Sequence, residues 1–213
     1  MKKNLTEVVF ILDRSGSMSG LEEDTIGGYN SFLNKQKEED GECLISTVLF
    51  NNKSEVVHDR IDIREIENMT RNDYFASGAT ALIDAMGSSI HHIRSVHKYI
   101  REEDRPEHTI FVIITDGLEN ASHKYSSKEV KKMVEKQKKE GWEFIFLGAN
   151  IDAVETAKEY GISEDRSTNF LNDEKGIGTN FVSLSKAVSG MRAYGQVCKD
   201  WDEEIERDYK MRK

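Results

Sequence analysis

Five oxygen-bearing side chains stand at positions from which they could bind one divalent cation together. Asp13, Ser15 and Ser17 occupy every second position of the segment DRSGS, and in an extended loop this spacing directs all three side chains to the same side. Thr80 follows the small residues Ser-Gly-Ala, and Asp116 follows an apolar run. Carboxylate and hydroxyl oxygens suit Mg²⁺ or Mn²⁺ and suit zinc or copper poorly. The set therefore predicts a site for Mg²⁺ or Mn²⁺.

The elements that must position these residues are predicted by three short apolar runs at 8–12, 110–115 and 144–147. Each run is rich in β-branched or aromatic residues and lacks polar alternation, which is typical of strands buried on both faces of a parallel sheet. Each is followed by a break and then by a helical pattern. A polar turn between 44–50 and 56–63 indicates a hairpin. We expect an α/β fold: a doubly wound, mostly parallel sheet with one antiparallel edge strand and helices on both faces.

In such a sheet, ligands bind at the crevice where the strand order reverses, outside the carboxyl ends of two neighbouring strands. Asp13 ends the first predicted strand and Asp116 follows the strand at 110–115, so the two carboxylates would flank this crevice. Thr80 lies just before a predicted helix over 81–100 and would close the third side. The glycine pattern of a dinucleotide-binding turn is missing after the first strand.

The pattern DxSxS with a later threonine and a later aspartate resembles the von Willebrand factor A (vWA) domain family and its metal-ion-dependent adhesion site. The resemblance covers roughly residues 5–192, and all five motif positions are intact. The segment 115–120, TDGLEN, is more similar to intracellular bacterial or phage members than to secreted animal ones. The resemblance implies the Rossmann-like vWA fold.

The resemblance also implies a protein-binding module with Mg²⁺ (or Mn²⁺) as cofactor and no catalysis of its own. In this family the serines and the threonine contact the metal directly or through water, and the aspartates act mostly through coordinated water. Neutral ligands leave much of the cation's charge uncompensated, and Mg²⁺ keeps exchangeable waters. An acidic side chain of a partner protein can then complete the metal shell, so that the metal bridges the two proteins.

Other functions remain open at this point. Metal-assisted phosphoryl transfer or hydrolysis would use Asp13 as nucleophile or metal ligand. Such chemistry needs a second positioned carboxylate or a general base, and His123 is the only candidate base near the site. A nucleotide-binding regulator is disfavoured by the missing glycine pattern. Each of the five residues could, taken alone, also be a helix cap or a turn former.

Three residues beside the predicted metal site, Met18, Leu118 and Asn150, follow strand ends and are predicted to contact the partner. An apolar side chain at such a position has no obvious core to enter. Packing beneath the loops is the alternative for Met18 and Leu118.

Charge and hydropathy exclude several classes of partner. Thirty Lys and Arg against thirty-nine Asp and Glu give a net charge of −9, which disfavours nucleic-acid binding and docking on an anionic membrane. The first apolar run is shorter than a signal peptide requires, and no stretch reaches the roughly 18 apolar residues of a membrane span. We therefore expect a cytoplasmic protein. The lysine-rich helix predicted at 126–140 is interpreted as a solvated surface.

An apolar stripe at three- and four-residue spacing predicts a last helix and then continues toward the C-terminus. Its members are Phe181, Leu184, Val188, Met191, Tyr194, Cys198, Trp201, Ile205 and Tyr209. A straight helix of this length would exceed the width of a small sheet, so we predict a break near Gly190–Gly195. The domain organisation is a vWA domain at 1–192 and a charged amphipathic helical extension at 193–213. The extension would pack on its own domain, on a second copy or on another protein, which leaves the oligomeric state open.

Overall fold

A six-stranded sheet runs through the centre of the protein. The structure, a computed structural model, describes residues 1–213. The strands are β1 (Lys2–Asp13), β2 (Glu42–Phe50), β3 (Ser54–Asp62), β4 (Pro106–Thr115), β5 (Glu143–Gly148) and β6 (Ser167–Asn169). Their order across the sheet is β3-β2-β1-β4-β5-β6. Only β3 is antiparallel to its neighbour, and it lies at the edge. The predicted doubly wound sheet with one antiparallel edge strand is confirmed.

Six helices cover the two faces of this sheet. They are α1 (Glu22–Lys37), α2 (Leu82–Tyr99), α3 (Ser127–Lys139), α4 (Ala153–Glu159), α5 (Glu174–Tyr194) and α6 (Glu203–Arg212). One apolar cluster joins the sheet to α1, α5 and α6, and a second joins it to α2, α3 and α4. None of the helices combines the length and the apolar character that a membrane crossing requires.

The central strand β1 shows why the apolar runs lack polar alternation. Val8, Phe10 and Leu12 enter the first cluster, whereas Val9 and Ile11 enter the second, and none of the five is more than 1% exposed. Because both faces of the strand are covered by helices, each position is selected for apolar character.

The helix ends follow local sequence signals. Ser126 Oγ accepts a hydrogen bond from the backbone N–H of Glu129, and a Glu129 carboxylate oxygen accepts one from the backbone N–H of Ser126. This reciprocal pair begins α3 and forms a capping box. Asp173 caps α5 in a similar way, because its carboxylate accepts from the backbone N–H of Gly176.

The last predicted helix ends at Tyr194, where Gly195 adopts a left-handed backbone with φ of +70°. The chain does not resume as a helix until Glu203, so the apolar stripe is not carried by one continuous extension. Tyr194, counted in the stripe, is 77% exposed, whereas Trp201 is 1% exposed and enters the first apolar cluster. The Trp201 indole N–H donates to the carbonyl of Asp165 at 3.0 Å. The C-terminal segment thus packs on its own domain.

Candidate metal centre

The predicted metal residues lie at the carboxyl ends of β1 and β4, which are neighbours in the sheet. Asp13 is the last residue of β1, and Asp116 directly follows β4. From β1 the strand order runs through β2 on one side and through β4 on the other, so this edge is the crevice of a doubly wound sheet. Thr80 lies in the loop that leads into α2.

The hydroxyls and one carboxylate converge on a small space. Ser15 Oγ and Ser17 Oγ are 3.0 Å apart, and Ser17 Oγ donates to Asp116 Oδ1 at 2.5 Å. A Cβ placed on Gly117 would lie 3.5 Å from Ser17 Oγ and 3.7 Å from Thr80 Oγ1. The missing side chain of Gly117 therefore leaves a cradle that Ser17, Thr80 and Asp116 surround.

Asp13 is held beside this cradle by protein donors. Its Oδ1 accepts the backbone N–H of Ser15 at 2.7 Å, and its Oδ2 accepts the Thr115 hydroxyl at 2.6 Å. The Tyr74 hydroxyl donates to the backbone carbonyl of Asp13 at 2.5 Å. The residue is 1% exposed. Its carboxylate is thus oriented by the chain itself.

Burial raises the pKa of both Asp13 and Asp116 above the ordinary range of an aspartate. The hydrogen bonds to each carboxylate lower the pKa but do not outweigh the loss of water, and for Asp13 the nearby charge of Asp116 raises it further. The protein's own donors therefore compensate the two negative charges incompletely.

Two asparagines that the sequence reasoning missed complete the site. Asn120 binds both backbone groups of Thr80: its Oδ1 accepts the N–H at 2.9 Å, and its N–H donates to the carbonyl at 3.0 Å. Asn172 Nδ2 donates to Asp116 Oδ2 at 2.8 Å. Asn172 comes from the loop after the short strand β6, for which the sequence offers no apolar run as a signal.

Of the three residues predicted to contact a partner, one is buried in the structure and two are exposed. Met18 is 1% exposed and packs in the first apolar cluster, so its predicted contact with a partner is wrong. The reason is the short 3-10 helix at Gly16–Met18, which turns the side chain beneath the loop. Leu118 is 68% exposed. Asn150 is also exposed, and its Nδ2 donates to the carbonyl of Asp116.

The candidate base His123 is exposed, and its backbone N–H donates to Asp84. Its imidazole makes no hydrogen bond to any of the five predicted metal residues.

The donor set fits a hard divalent cation. No group of three or more His, Cys, Asp or Glu side chains in the structure could hold a metal ion, so a cation at this site would need the hydroxyls as well as the two carboxylates. Such all-oxygen sets are the ones that Mg²⁺ and Mn²⁺ prefer.

Solved structures with the same arrangement of strands and helices decide the fold. The vWF domain of the pili tip protein Mfa5 from Porphyromonas gingivalis superposes with a TM-score of 0.62 at 11% identity, over 91% of this chain and 98% of that one. The chain has the von Willebrand factor A fold. Manganese-loaded TRAP protein from Plasmodium vivax matches this vWA fold with a TM-score of 0.59 at 17% identity, over 85% of this chain and 75% of that one.

A third vWA structure is the proximal thread matrix protein 1 of mussel byssus, with a zinc-occupied metal-ion-dependent adhesion site. It has a TM-score of 0.60 at 12% identity over 86% of this chain, and this chain covers 46% of the mussel protein, about half its length. No protein-family model and no curated protein matches the sequence. At identities this low, the likeness concerns the vWA fold alone.

Proposed function

We propose that the protein is a protein-binding module dependent on Mg²⁺ (or Mn²⁺), in which an acidic side chain of the partner completes the metal shell. The observation that carries this proposal is the convergence of Ser17, Thr80 and Asp116 around the cradle at Gly117, with Ser15 and Asp13 beside it. The proposal joins this geometry to the vWA fold and to the intact motif.

The serine and threonine hydroxyls would hold the metal, and the two aspartates would supply the negative charge around it. When bound, the metal would offer exchangeable positions to a carboxylate of the partner. Leu118 and Asn150, exposed next to Asp116, would contact the partner around that carboxylate. The mussel protein with a zinc-occupied metal-ion-dependent adhesion site and the manganese-loaded Plasmodium protein, which share the vWA fold, support the proposal of a divalent cation here.

Asp13 is poorly suited to the alternative role of nucleophile. Both of its carboxylate oxygens accept hydrogen bonds from the chain, and the residue is almost wholly buried. The His123 imidazole makes no hydrogen bond to the site, so no general base is positioned there. We therefore propose that the protein has no catalytic activity of its own.

Three further parts of the proposal rest on the residues alone. These are the cytoplasmic location, the kinship with bacterial or phage members, and the division into a vWA domain at 1–192 and an extension at 193–213.

Thr80→Val tests the metal site. The Thr80 hydroxyl makes no hydrogen bond within the protein, so its replacement by a methyl group of similar size removes one metal ligand and no structural contact. We expect Mn²⁺ affinity, measured by isothermal titration calorimetry, to fall about tenfold or more, with the free energy of unfolding unchanged. Thr109→Val in β4 is the matched control and should bind Mn²⁺ as the wild type does. Equal Mn²⁺ affinity in all three proteins would refute the site.

A further inference from the structure

A second cavity lies at the opposite end of the sheet from the metal centre. It has a volume of about 650 Å³ and is lined by the last turns of α2, the second half of α3, and two residues that immediately precede strands. These two are Arg105, before β4, and Trp142, before β5. We propose that this cavity binds the polyphosphate group of a small molecule. The inference is independent of the proposed metal-dependent function.

The cavity gathers positive charge that the protein leaves unpaired. Arg94, Lys98, Arg105 and Lys136 line it, and none of them has a carboxylate within ion-pairing distance. Glu140 is the only acidic residue in the lining. In a chain with a net charge of −9, a group of four cations without acidic partners points to an anion from outside the chain.

Arginines without an acidic partner are unusual in this molecule. Seven of the eleven arginines form an ion pair, and Arg192 instead donates several hydrogen bonds to carbonyls. The seven are Arg14, Arg60, Arg64, Arg71, Arg101, Arg166 and Arg212. Only Arg94, Arg105 and Arg207 have neither. Two of these three line the cavity.

One donor at the cavity is also buried without a partner. Arg105 Nε is inaccessible to water and donates to no protein acceptor. Trp142, which is 7% exposed, forms part of the same wall, and its ring packs against Phe111 and the imidazole of His97. Because an unsatisfied buried donor carries a free-energy cost, Arg105 favours a ligand that offers it an acceptor.

Phosphate is the anion that these groups match best. A guanidinium presents its N–H groups in a planar fork that fits two phosphate oxygens, and a lysine adds a point charge. Four cations spread around a cavity of this size exceed what a single carboxylate would need, and a chain of two or three phosphates would span them. Inorganic pyrophosphate and a nucleoside diphosphate share this chemistry. Tyr99, 80% exposed at the rim, offers a ring on which a base could stack.

The test is calorimetric titration in metal-free buffer at low salt with three probes: pyrophosphate, ADP and citrate. We expect pyrophosphate to bind the wild type and citrate to bind at least about tenfold more weakly. ADP binding more tightly than pyrophosphate would assign the ligand to nucleotides, and equal binding would assign it to the polyphosphate alone. The Thr80→Val variant should bind pyrophosphate as the wild type does, which separates this site from the metal centre.

Arg94→Gln combined with Arg105→Gln should lower pyrophosphate affinity about tenfold or more. Arg207→Gln combined with Lys132→Gln removes the same charge elsewhere and should change the affinity less than about twofold. Lys98→Gln with Lys136→Gln, two exposed positions, provides a second test that leaves the half-buried Arg105 unchanged.

The same cations could instead serve the C-terminal ends of α2 and α3, where positive charge is favourable. In that case the Arg94 and Arg105 variant would lose thermal stability, and the wild type would bind no pyrophosphate. The absence of pyrophosphate binding to the wild type would overturn the proposal. So would citrate binding as tightly as pyrophosphate, or an equal loss of pyrophosphate affinity in the control variant.

Discussion

The two aspartates of the candidate metal centre are each fixed by one hydroxyl and one N–H group. Asp13 accepts from the Thr115 hydroxyl and from the backbone N–H of Ser15. Asp116 accepts from the Ser17 hydroxyl and from the side-chain amide of Asn172. Both carboxylates are therefore oriented before any ligand arrives, which reduces the conformational cost of assembling the site.

Asp84, in the first turn of α2, performs a similar task for the loop that follows the metal centre. Its carboxylate accepts the backbone N–H groups of three successive residues, 123–125. Burial raises the pKa of this carboxyl, but the three hydrogen bonds outweigh burial and bring the pKa below its ordinary value. The ionised form thus binds the loop more strongly than the neutral form does.

We expect Asp84→Asn to lower the free energy of unfolding by about 2 kcal/mol at neutral pH, because the amide offers a single acceptor oxygen and no charge. Since the folded pKa lies below the unfolded one, the ionised carboxylate stabilises the fold above about pH 4, and this stabilisation is lost as the pH falls through the folded pKa. Urea unfolding at a series of pH values should show that the free energies of unfolding of the wild type and the variant become equal in acid. A constant difference down to the lowest accessible pH would contradict this explanation.

At the scale of elements, one arginine of α5 satisfies several backbone carbonyls at the end of α1. Arg192 of α5 donates to the carbonyls of Gln36, Glu39, Asp40 and Gly41 at and beyond the C-terminal end of α1. The last carbonyls of a helix lack intrahelical donors, and a cation there also interacts favourably with the helix dipole. This contact stabilises the packing of the two helices on one face of the sheet.

Arg192→Ala should therefore lower the free energy of unfolding by about 2 to 3 kcal/mol, because it leaves several carbonyls without donors. Arg207→Ala is the matched control, since Arg207 is exposed on α6 and makes no ion pair; it should change stability by less than about 0.5 kcal/mol. Chemical denaturation of both variants gives the comparison. Equal stabilities would mean that the arginine contributes nothing to the packing of α5 on α1.

At the scale of the whole molecule, the C-terminal segment belongs to the core although it lies far from the metal residues in sequence. Trp201 and Ile205 enter the apolar cluster on the α1 and α5 face. Arg212 of α6 forms an ion pair with Asp173, the capping residue of α5, at 2.6 Å. Asp173 follows Asn172, which binds Asp116.

Deletion of 199–213 should lower the free energy of unfolding by roughly 3 to 5 kcal/mol, the cost of removing a buried tryptophan and its neighbours. The protein that remains folded should bind Mn²⁺ nearly as well as the wild type, because all five proposed ligands lie far upstream. Thermal unfolding and calorimetry on the same samples separate the two effects. A folded truncation without Mn²⁺ binding would show that the division at 192 and 193 is wrong.

The sequence by itself determined the architecture and where the five proposed metal residues stand along it, because both depend on local patterns. An apolar run without alternation defines a doubly buried strand, and Asp13 and Asp116 are positioned by the ends of two such strands. Tertiary structure alone decided which other residues meet there. Asn172 reaches Asp116 across 56 positions of the chain, and the three-residue strand β6 that brings it there is stabilised by pairing with β5 rather than by its own sequence.

The same reason explains the correction at Met18 and the cavity at Arg94 and Arg105. Exposure depends on which other segments cover a side chain, and the 3-10 turn at Gly16–Met18 directs the Met18 side chain into the first apolar cluster. The unpaired arginines come from α2 and from the residue that precedes β4, which lie apart in the sequence and are brought together by the fold. Local spacing could indicate that each residue is charged, but only long-range packing determines which charges share one cavity and which find a partner.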